Sequence, residues 1–326
     1  MAGFEENEVS QNANGGTEIS KRSLQAALPE NLLNEFQIIS SRIRTLDERK
    51  IRVLTCHDLA GDRELGHLKD AKSRSRFHKI VFVSNWQMNE FVTKLEFPQD
   101  DSVEVIENPI EIIPLEPKPK EIINLIYFST PQRGLELLIP VFEALCKKHN
   151  HIHLDVYSSF LIYGWKDTDE RFQPLYDKIK SHPKMTYHGY APHKEVTQAL
   201  KRAHILAYPS IWRETSCRVV MESMSAGLLC VHPNLAALPE TSGGLTAMYQ
   251  YYDDANKHAN VFYQKLDHAI NVVNTEETQN YLKFVKIYAD ARFNLDKITK
   301  KWEHLLAELK SNYPTAESRK IPFQVF

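Results

Sequence analysis

Two glutamates, Glu214 and Glu222, mark the part of the sequence with the clearest chemical pattern. Glu214 lies in a polar loop after an apolar run, and Glu222 lies inside a helix predicted over 218–225. Backbone N–H groups at a helix start have no intrahelical acceptor, and with the helix dipole they suit a diphosphate. Glu214 can accept hydrogen bonds from sugar hydroxyls, and Glu222 from the two hydroxyls of a ribose. The residues at this helix start are Thr215, Ser216 and Cys217. Taken alone, the two glutamates are equally consistent with an acidic loop residue and a solvated helix residue.

Two further positions carry residue types that suit a ligand. His57 follows the strand predicted over 51–55, at the carboxyl edge where ligands bind in open α/β sheets. A neutral imidazole there can bind a sugar hydroxyl or help to move the proton of an acceptor, and Asp58 is the second choice for this role. Gly15 and Gly16 allow the backbone to approach a phosphate or a sugar closely, with a simple turn as the alternative.

No metal site is predicted. Asp167 and Asp169 form a D-x-D pattern, and two such carboxylates can bind a divalent cation that bridges a diphosphate. They lie in a run of charged residues, which favours a solvated loop or helix start. Three alternating histidines have no carboxylate or cysteine set beside them. These histidines are His149, His151 and His153.

The elements that must position these residues follow a regular order. Apolar runs of strand length alternate with amphipathic segments of helical period, which predicts parallel sheets with helices on both faces. Pro114, Pro117 and Pro119 predict a stiff extended linker between two such units. The expected fold class is therefore α/β, with two doubly wound Rossmann-like domains that face each other across a cleft.

The expected domains are 1–117 on the acceptor side, 118–290 on the nucleotide side, and 291–326. The last contains a helix that packs back on the N-terminal domain, and a tail. The N-terminal domain is expected to be reduced, because residues 1–14 supply no strand before the glycine pair. Either its sheet is one strand short or the true start lies upstream.

The composition excludes several protein classes. The chain has 326 residues, 42% of them hydrophobic and 25% charged, and a formal net charge of −2. This balance is typical of a globular protein and gives no support to a general polyanion binder. Four scattered cysteines indicate reduced thiols, and neither a signal peptide nor an apolar stretch of about 18–20 residues is found. The expected location is cytoplasmic, either free or at a membrane surface.

The segment 207–231 resembles the E-x7-E signature of retaining GT-B glycosyltransferases of family four (group 1). The matching positions are Pro209, Ser210, Glu214, Glu222, Met224 and Gly227. Further similar elements follow in the family's order. They are Gly15-Gly16-Thr17-Glu18, the strand ending at Ser84, Val105 to Glu111 with Pro109 where glycine is usual, Phe128 to Leu135, and His188-Gly189-Tyr190. The resemblance covers most of residues 14–245.

The resemblance implies a nucleotide-diphospho-sugar donor, bound by the C-terminal domain, and a hydroxyl acceptor bound by the N-terminal domain. Arg133 stands at the second position of the family's phosphate-binding basic pair, and the first cation is replaced near Phe128 or Ser129. Tyr190 is assigned to the donor site, and His57 corresponds to a histidine near the donor sugar and acceptor. The departing phosphate itself helps to accept the acceptor proton, and no metal or other cofactor is implied. The expected catalytic residues are thus His57, Glu214 and Arg133.

Two other function classes remain open at this stage. A nucleotide-sugar epimerase has the same fold but needs further acid/base carboxylates, and a sugar-nucleotide-binding protein without activity would account for the replaced cation. The acceptor is expected to be a glycan of a lipopolysaccharide or capsule, a lipid-linked sugar or a small molecule, with modified DNA less favoured. The donor sugar and base are left open.

Overall fold

The computed structural model describes Gly3 and residues 13–320 of the chain. The chain divides into two compact units. Of the described residues, unit 1 comprises Gly3, 16–109 and 293–320, and unit 2 comprises 13–15 and 110–292. The sequence-based boundaries at 117 and 290 stay predictions. The polar stretch expected to lack a strand lies outside the described residues, apart from Gly3, Ala13 and Asn14.

Unit 1 contains a parallel sheet of four described strands. They are β1 (Phe36–Ser40), β2 (Ile51–Cys56), β3 (Lys79–Phe82) and β4 (Val103–Val105), in the order β1-β2-β3-β4. The helices of this unit are α1 (Gly16–Ala27), α2 (Glu30–Leu33), α3 (Ala71–Arg74), α4 (Asn85–Leu95) and the C-terminal α12 (Leu295–Asn312). The Ser84 hydroxyl accepts from the N–H of Gln87 and so caps α4, as the sequence predicts.

Apolar residues cover both faces of this sheet. On one face, α1 and α12 place Leu24, Trp302 and Leu306 against Ile38 and Val53. The other face has its own cluster, formed with α4. The members of that cluster include Leu54, Phe82, Phe91 and Phe97. Every residue of β1, β2 and β3 is buried, as expected for parallel strands that are covered on both faces.

Unit 2 contains a parallel sheet of six described strands in the order β10-β9-β8-β5-β6-β7. The strands are β5 (Ile123–Phe128), β6 (Ile152–Tyr157), β7 (Met185–Tyr187), β8 (Ile205–Ala207), β9 (Leu229–Pro233) and β10 (Ala247–Tyr249). The helices are α5 (Leu135–Cys146), α6 (Gln173–Ser181), α7 (His193–Arg202), α8 (Arg218–Ser225), α9 (Leu238–Ser242), α10 (Ala255–Val272) and α11 (Glu276–Phe293). Since β5 pairs with both β6 and β8, the strand order reverses there, and ligands of open α/β sheets bind at such a point.

Two segments differ from the sequence-based expectation. The sequence around Tyr249, a run of tyrosines and aspartates, predicts an exposed segment, but Tyr249 ends β10 and is 4% exposed, with its hydroxyl 3.0 Å from Nε2 of His258. The proline-rich segment packs on unit 2, because Lys118 Nζ donates to the carbonyl of Gly227 and His204 Nε2 lies 2.9 Å from the carbonyl of Pro119. These contacts make the segment an ordered part of unit 2.

None of the helices in the described part of the chain is both long and apolar enough to cross a membrane.

Candidate functional site

The loop between β5 and α5 places Arg133 at the carboxyl edge of the unit 2 sheet. A short 3-10 turn, Pro131–Arg133, is followed by Gly134 at the N-cap of α5. Gly134 has a φ of +117°, and a Cβ there would lie 2.3 Å from the carbonyl oxygen of Pro209. Only glycine fits this backbone and this close approach. Gly134 therefore holds the loop of Arg133 against the loop that leads to Glu214.

A buried cluster of three side chains forms where these two loops meet. Arg133 Nη1 donates to Glu214 Oε1 at 2.5 Å, and the hydroxyl of Tyr208 donates to the same oxygen at 2.7 Å. The Arg133 side chain is 20% exposed and that of Glu214 is 8% exposed. Arg133 Nη2 is 3.5 Å from the hydroxyl of Tyr163, and the guanidinium lies 5.7 Å from the ring centroid of Trp212. Aromatic rings thus flank the ion pair.

The electrostatics of this cluster keep Arg133 and Tyr208 protonated. Burial pushes the pKa of Arg133 down, but the Glu214 carboxylate outweighs it and raises that pKa well above its ordinary value. Burial, and then the charge of Glu214, raise the pKa of Tyr208 well above 10.0, so its hydroxyl remains a donor. The Nε of Arg133 is buried and has no hydrogen-bond partner among the described residues. Arg133 is therefore a cation with a donor to offer to an incoming acceptor.

Helix α8 places the second glutamate beside the same sheet edge. Cys217 is the N-cap of α8 and is buried, while Thr215 and Ser216 are partly exposed. Glu222 Oε1 accepts from Arg218 Nη2 at 2.6 Å and lies 3.0 Å from Nε2 of His193.

Glu222 is held as a carboxylate in this environment. Burial pushes its pKa up, but the charge and hydrogen bonds of Arg218 and His193 outweigh burial and bring the pKa below its ordinary value. An ionised carboxylate only accepts, which suits hydroxyl donors of a ligand.

Gly15 and Gly16 lie where the chain passes from unit 2 to unit 1, and Tyr190 contacts the residue that precedes them, Asn14. Asn14 Nδ2 donates to the hydroxyl of Tyr190 at 2.9 Å, and the N–H of Asn14 donates to the carbonyl of Ile162. Gly15 is buried and belongs to unit 2, whereas Gly16 begins α1 and belongs to unit 1. Neither glycine has a positive φ, so the backbone does not explain the choice of glycine at these two positions.

His57 follows β2 in unit 1 and is partly exposed. Its N–H donates to the hydroxyl of Ser41, and burial, together with the charge of Lys21, lowers the pKa of the imidazole to about 4. His57 is therefore neutral at pH 7 and able to accept a proton or a hydrogen bond. It lines a pocket of unit 1 with Lys21 and Asn108. Burial raises the pKa of the adjacent Asp58 carboxyl.

The D-x-D pattern has a structural role at its second carboxylate. Asp169 accepts from the hydroxyl of Ser159, from the N–H of Phe160 at 2.9 Å and from the hydroxyl of Tyr176 at 2.7 Å. Asp167 is exposed in the 3-10 helix Lys166–Phe172. Among residues 13–320, no three His, Cys, Asp or Glu side chains are grouped so that they could hold a metal ion.

The contacts of unit 2 bring together two sets of residues, one around Glu214 and one around Glu222. Sequence reasoning missed Tyr208, Tyr163 and His193 as members of these sets. Two of them had a signal in the sequence. Tyr208 is the last residue before the Pro-Ser pair, and His193 begins a predicted helix three positions after Tyr190.

Residues 109–242 match the family model of the Glycosyl transferases group 1. The matched region contains Arg133, Glu214 and Glu222. No curated protein sequence matches the chain.

The fold is similar to that of several solved glycosyltransferases. A glycosyltransferase from Rickettsia africae is 16% identical, with a TM-score of 0.67, and the match covers 94% of this chain and 85% of that one. HepE from Anabaena, solved with UDP and glucose, is 15% identical with a TM-score of 0.62, and the match covers 89% of this chain and 82% of HepE. Sucrose-phosphate synthase from Thermosynechococcus elongatus is 14% identical with a TM-score of 0.64, covering 90% and 79%. The predicted fold class, α/β of the GT-B type with Rossmann-like units, is confirmed.

Proposed function

We propose that this chain transfers a sugar from a nucleotide-diphospho-sugar to a hydroxyl acceptor, with retention of the anomeric configuration. The observation that carries the proposal is the buried Arg133–Glu214–Tyr208 cluster at the strand-order reversal of unit 2. It lies inside the region that matches the glycosyltransferase family. A buried cation beside a buried carboxylate suits a ligand that has both phosphate charge and sugar hydroxyls.

Each part of the donor meets a different group in this proposal. Arg133 and the helix start at 215–217 bind the diphosphate and stabilise the charge that develops on it as it leaves, which is an electrostatic contribution to the rate. Glu214 accepts from the hydroxyls of the transferred sugar. Glu222 accepts from the ribose, and Gly15 and Tyr190 complete the donor site.

The acceptor is assigned to unit 1. The pocket beside His57 is lined by the polar Lys21 and Asn108 together with the apolar Leu24 and Trp302. The neutral imidazole of His57 orients the acceptor hydroxyl, while the leaving phosphate accepts its proton.

No metal takes part in the proposed reaction. The four free cysteines support a reducing, cytoplasmic location.

The first experiment identifies the donor. Nucleotide-sugars with UDP, GDP, ADP and dTDP are screened by thermal shift, because a ligand of the native state raises its apparent stability. The best donor, isotope-labelled, is then incubated with and without a panel of glycan and small-molecule acceptors. We expect label in a new glycoside with the donor's anomeric configuration. Isomerised donor would instead indicate an epimerase, and binding without either product would indicate a protein that only binds sugar nucleotides.

A matched pair of variants tests the site itself. Arg133→Gln should abolish the thermal shift, since it removes the charge that binds the diphosphate. Lys178→Gln is the control, because Lys178 makes an exposed ion pair with Glu143 on the same unit. If both variants keep the wild-type shift, the donor binds elsewhere and the proposal fails.

A further inference from the structure

Glu222 is held by two donors that come from different elements. Arg218 is one turn earlier on the same helix, whereas His193 is the first residue of α7, 29 positions away in the chain. Both contacts end on one oxygen, Oε1. Because an ionised carboxylate cannot donate, the proton of this second contact lies on Nε2 of His193.

The arrangement leaves the two carboxylate oxygens with different tasks. A carboxylate oxygen has two lone-pair sites, and Arg218 and His193 use both on Oε1. Ribose hydroxyls must then be accepted by Oε2. Arg218 holds the carboxylate from within the same helix, so its contact does not tie Glu222 to another element. The rigid ring of His193, which belongs to another helix, contacts the Glu222 carboxylate from a second direction and so fixes its orientation.

We propose that His193 is a positioning residue of the donor site, which fixes Glu222 through Oε1 so that Oε2 faces the ribose and selects ribonucleoside diphosphates over analogues without ribose hydroxyls. This inference rests on the proposed function, since it requires a nucleotide at Glu222. It also narrows the donor class to sugars carried by a ribonucleotide. The side chain of His193 is 35% exposed, so a change there leaves the core of the unit intact.

The test measures whether His193 acts through the ribose hydroxyls. Isothermal titration first determines which of UDP, GDP and ADP binds the wild-type protein best. The affinity of that nucleotide is then compared with that of its 2′,3′-dideoxy analogue for the wild type, His193→Leu and His193→Gln. The glutamine amide can replace the Nε2–H donor, while leucine cannot. His153→Leu is the control. His153 is a partly exposed histidine on β6 of the same unit, and it contacts Thr186.

We expect the wild type to prefer the ribonucleotide by at least tenfold, the size of about one hydrogen bond to a charged group. His193→Leu should weaken ribonucleotide binding about tenfold, leave the dideoxy analogue unchanged, and so erase the preference. His193→Gln should restore the preference for the ribonucleotide, and His153→Leu should keep it. In Glu222→Ala, which removes the acceptor for Nε2–H of His193, adding His193→Leu should cause no further loss of ribonucleotide affinity, since His193 acts through Glu222.

The outcomes separate the two proposals. If the wild type binds no nucleoside diphosphate, the proposed function fails and this inference falls with it. If the wild type binds but His193→Leu weakens both nucleotides equally or neither, only the positioning role is overturned. A glutamine variant that behaves like the leucine variant would also overturn it.

Discussion

The ion pair between Arg133 and Glu214 makes Glu214→Gln an informative perturbation. Glutamine keeps the shape of the side chain and can still accept from Tyr208, but it removes the negative charge 2.5 Å from the Arg133 guanidinium. Arg133 is then a buried cation without its counter-charge. Two consequences follow: the ligand-free protein loses stability, and Arg133 becomes fully available to a diphosphate.

The size of the first effect can be worked out from burial. Two charges about 4 Å apart attract each other by about 4 kcal/mol at an effective dielectric constant near 20. Removing one partner of a buried pair costs about 3–5 kcal/mol in measured cases. The retained bond to Tyr208 places the expected loss near the lower end, at roughly 3 kcal/mol. For a unit of this size, the melting temperature should fall by roughly 6–12 °C.

The second effect has the opposite sign. With no carboxylate to displace from Arg133, the diphosphate should bind Glu214→Gln at least as tightly as the wild type. Each 1.4 kcal/mol gained in binding free energy corresponds to about tenfold in affinity. Sugar transfer should nevertheless fall by about a hundredfold or more, since the acceptor of the sugar hydroxyls is weakened at the reacting centre. A saturating concentration of the nucleoside diphosphate that binds the wild type best should therefore raise the melting temperature more in the variant than in the wild type.

The assay combines thermal melts with and without the best-binding nucleoside diphosphate, titration calorimetry and transfer rates on the same preparations. Glu143→Gln is the matched control, because its ion pair with Lys178 is exposed and such pairs contribute about 0–1 kcal/mol. The prediction is refuted if folded Glu214→Gln binds that nucleotide tenfold more weakly than the wild type. In that case Glu214 itself holds the nucleotide, and the division of labour between the two glutamates is reversed.

Three further predictions concern the backbone, the metal and pH. Gly134→Ala should lose nucleoside diphosphate binding and several degrees of melting temperature, because its Cβ would lie 2.3 Å from the carbonyl oxygen of Pro209; unchanged affinity in calorimetry would contradict this. Sugar transfer should survive EDTA, since Arg133 and a helix start meet the diphosphate; complete loss that manganese restores would show a metal requirement. Burial lowers the pKa of His232 from 6.5 to about 4, so the unfolded chain binds the extra proton between these values and stability is lost as the pH falls through that range. Urea titrations from pH 7 to 4 should show this decline, smaller in His232→Gln, and an equal decline in both proteins would exclude His232 as a cause.

The elements of the fold could be predicted where the local pattern was strong. The helices over 193–202 and 218–225 have the predicted bounds, because their amphipathic period and flanking loops are clear. The strand β10 was missed, since three residues are too few to show a period. Its last residue, Tyr249, is buried through contacts with β9 and α10, which no local pattern contains.

The candidate site could be predicted by residue type but not by pairing. The spacing of Glu214 and Glu222 places both near one helix start, yet it does not show that Tyr208 and Arg133 share one oxygen of Glu214. The role of Glu222 as an acceptor for the ribose hydroxyls stays a prediction, and the spacing does not show which side chains contact its carboxylate. His193 and Arg218 already occupy Oε1, and the contact with His193 spans 29 positions of sequence.

Glu214 and Glu222 are both buried carboxylates that are paired with an arginine. A buried charge needs a partner in the ligand-free protein, because an unpaired one costs several kcal/mol. Arg133 is such a partner for Glu214, and Arg218 for Glu222. The pairs differ in what a nucleotide must do to them. If the proposed function holds, a nucleotide at Glu222 would bind Oε2 while Arg218 and His193 keep Oε1, whereas at Glu214 the diphosphate would compete for Arg133. Donor binding should therefore release Glu214 toward the sugar at the moment when Arg133 turns to the phosphate, which couples recognition of the nucleotide to preparation of the reacting centre.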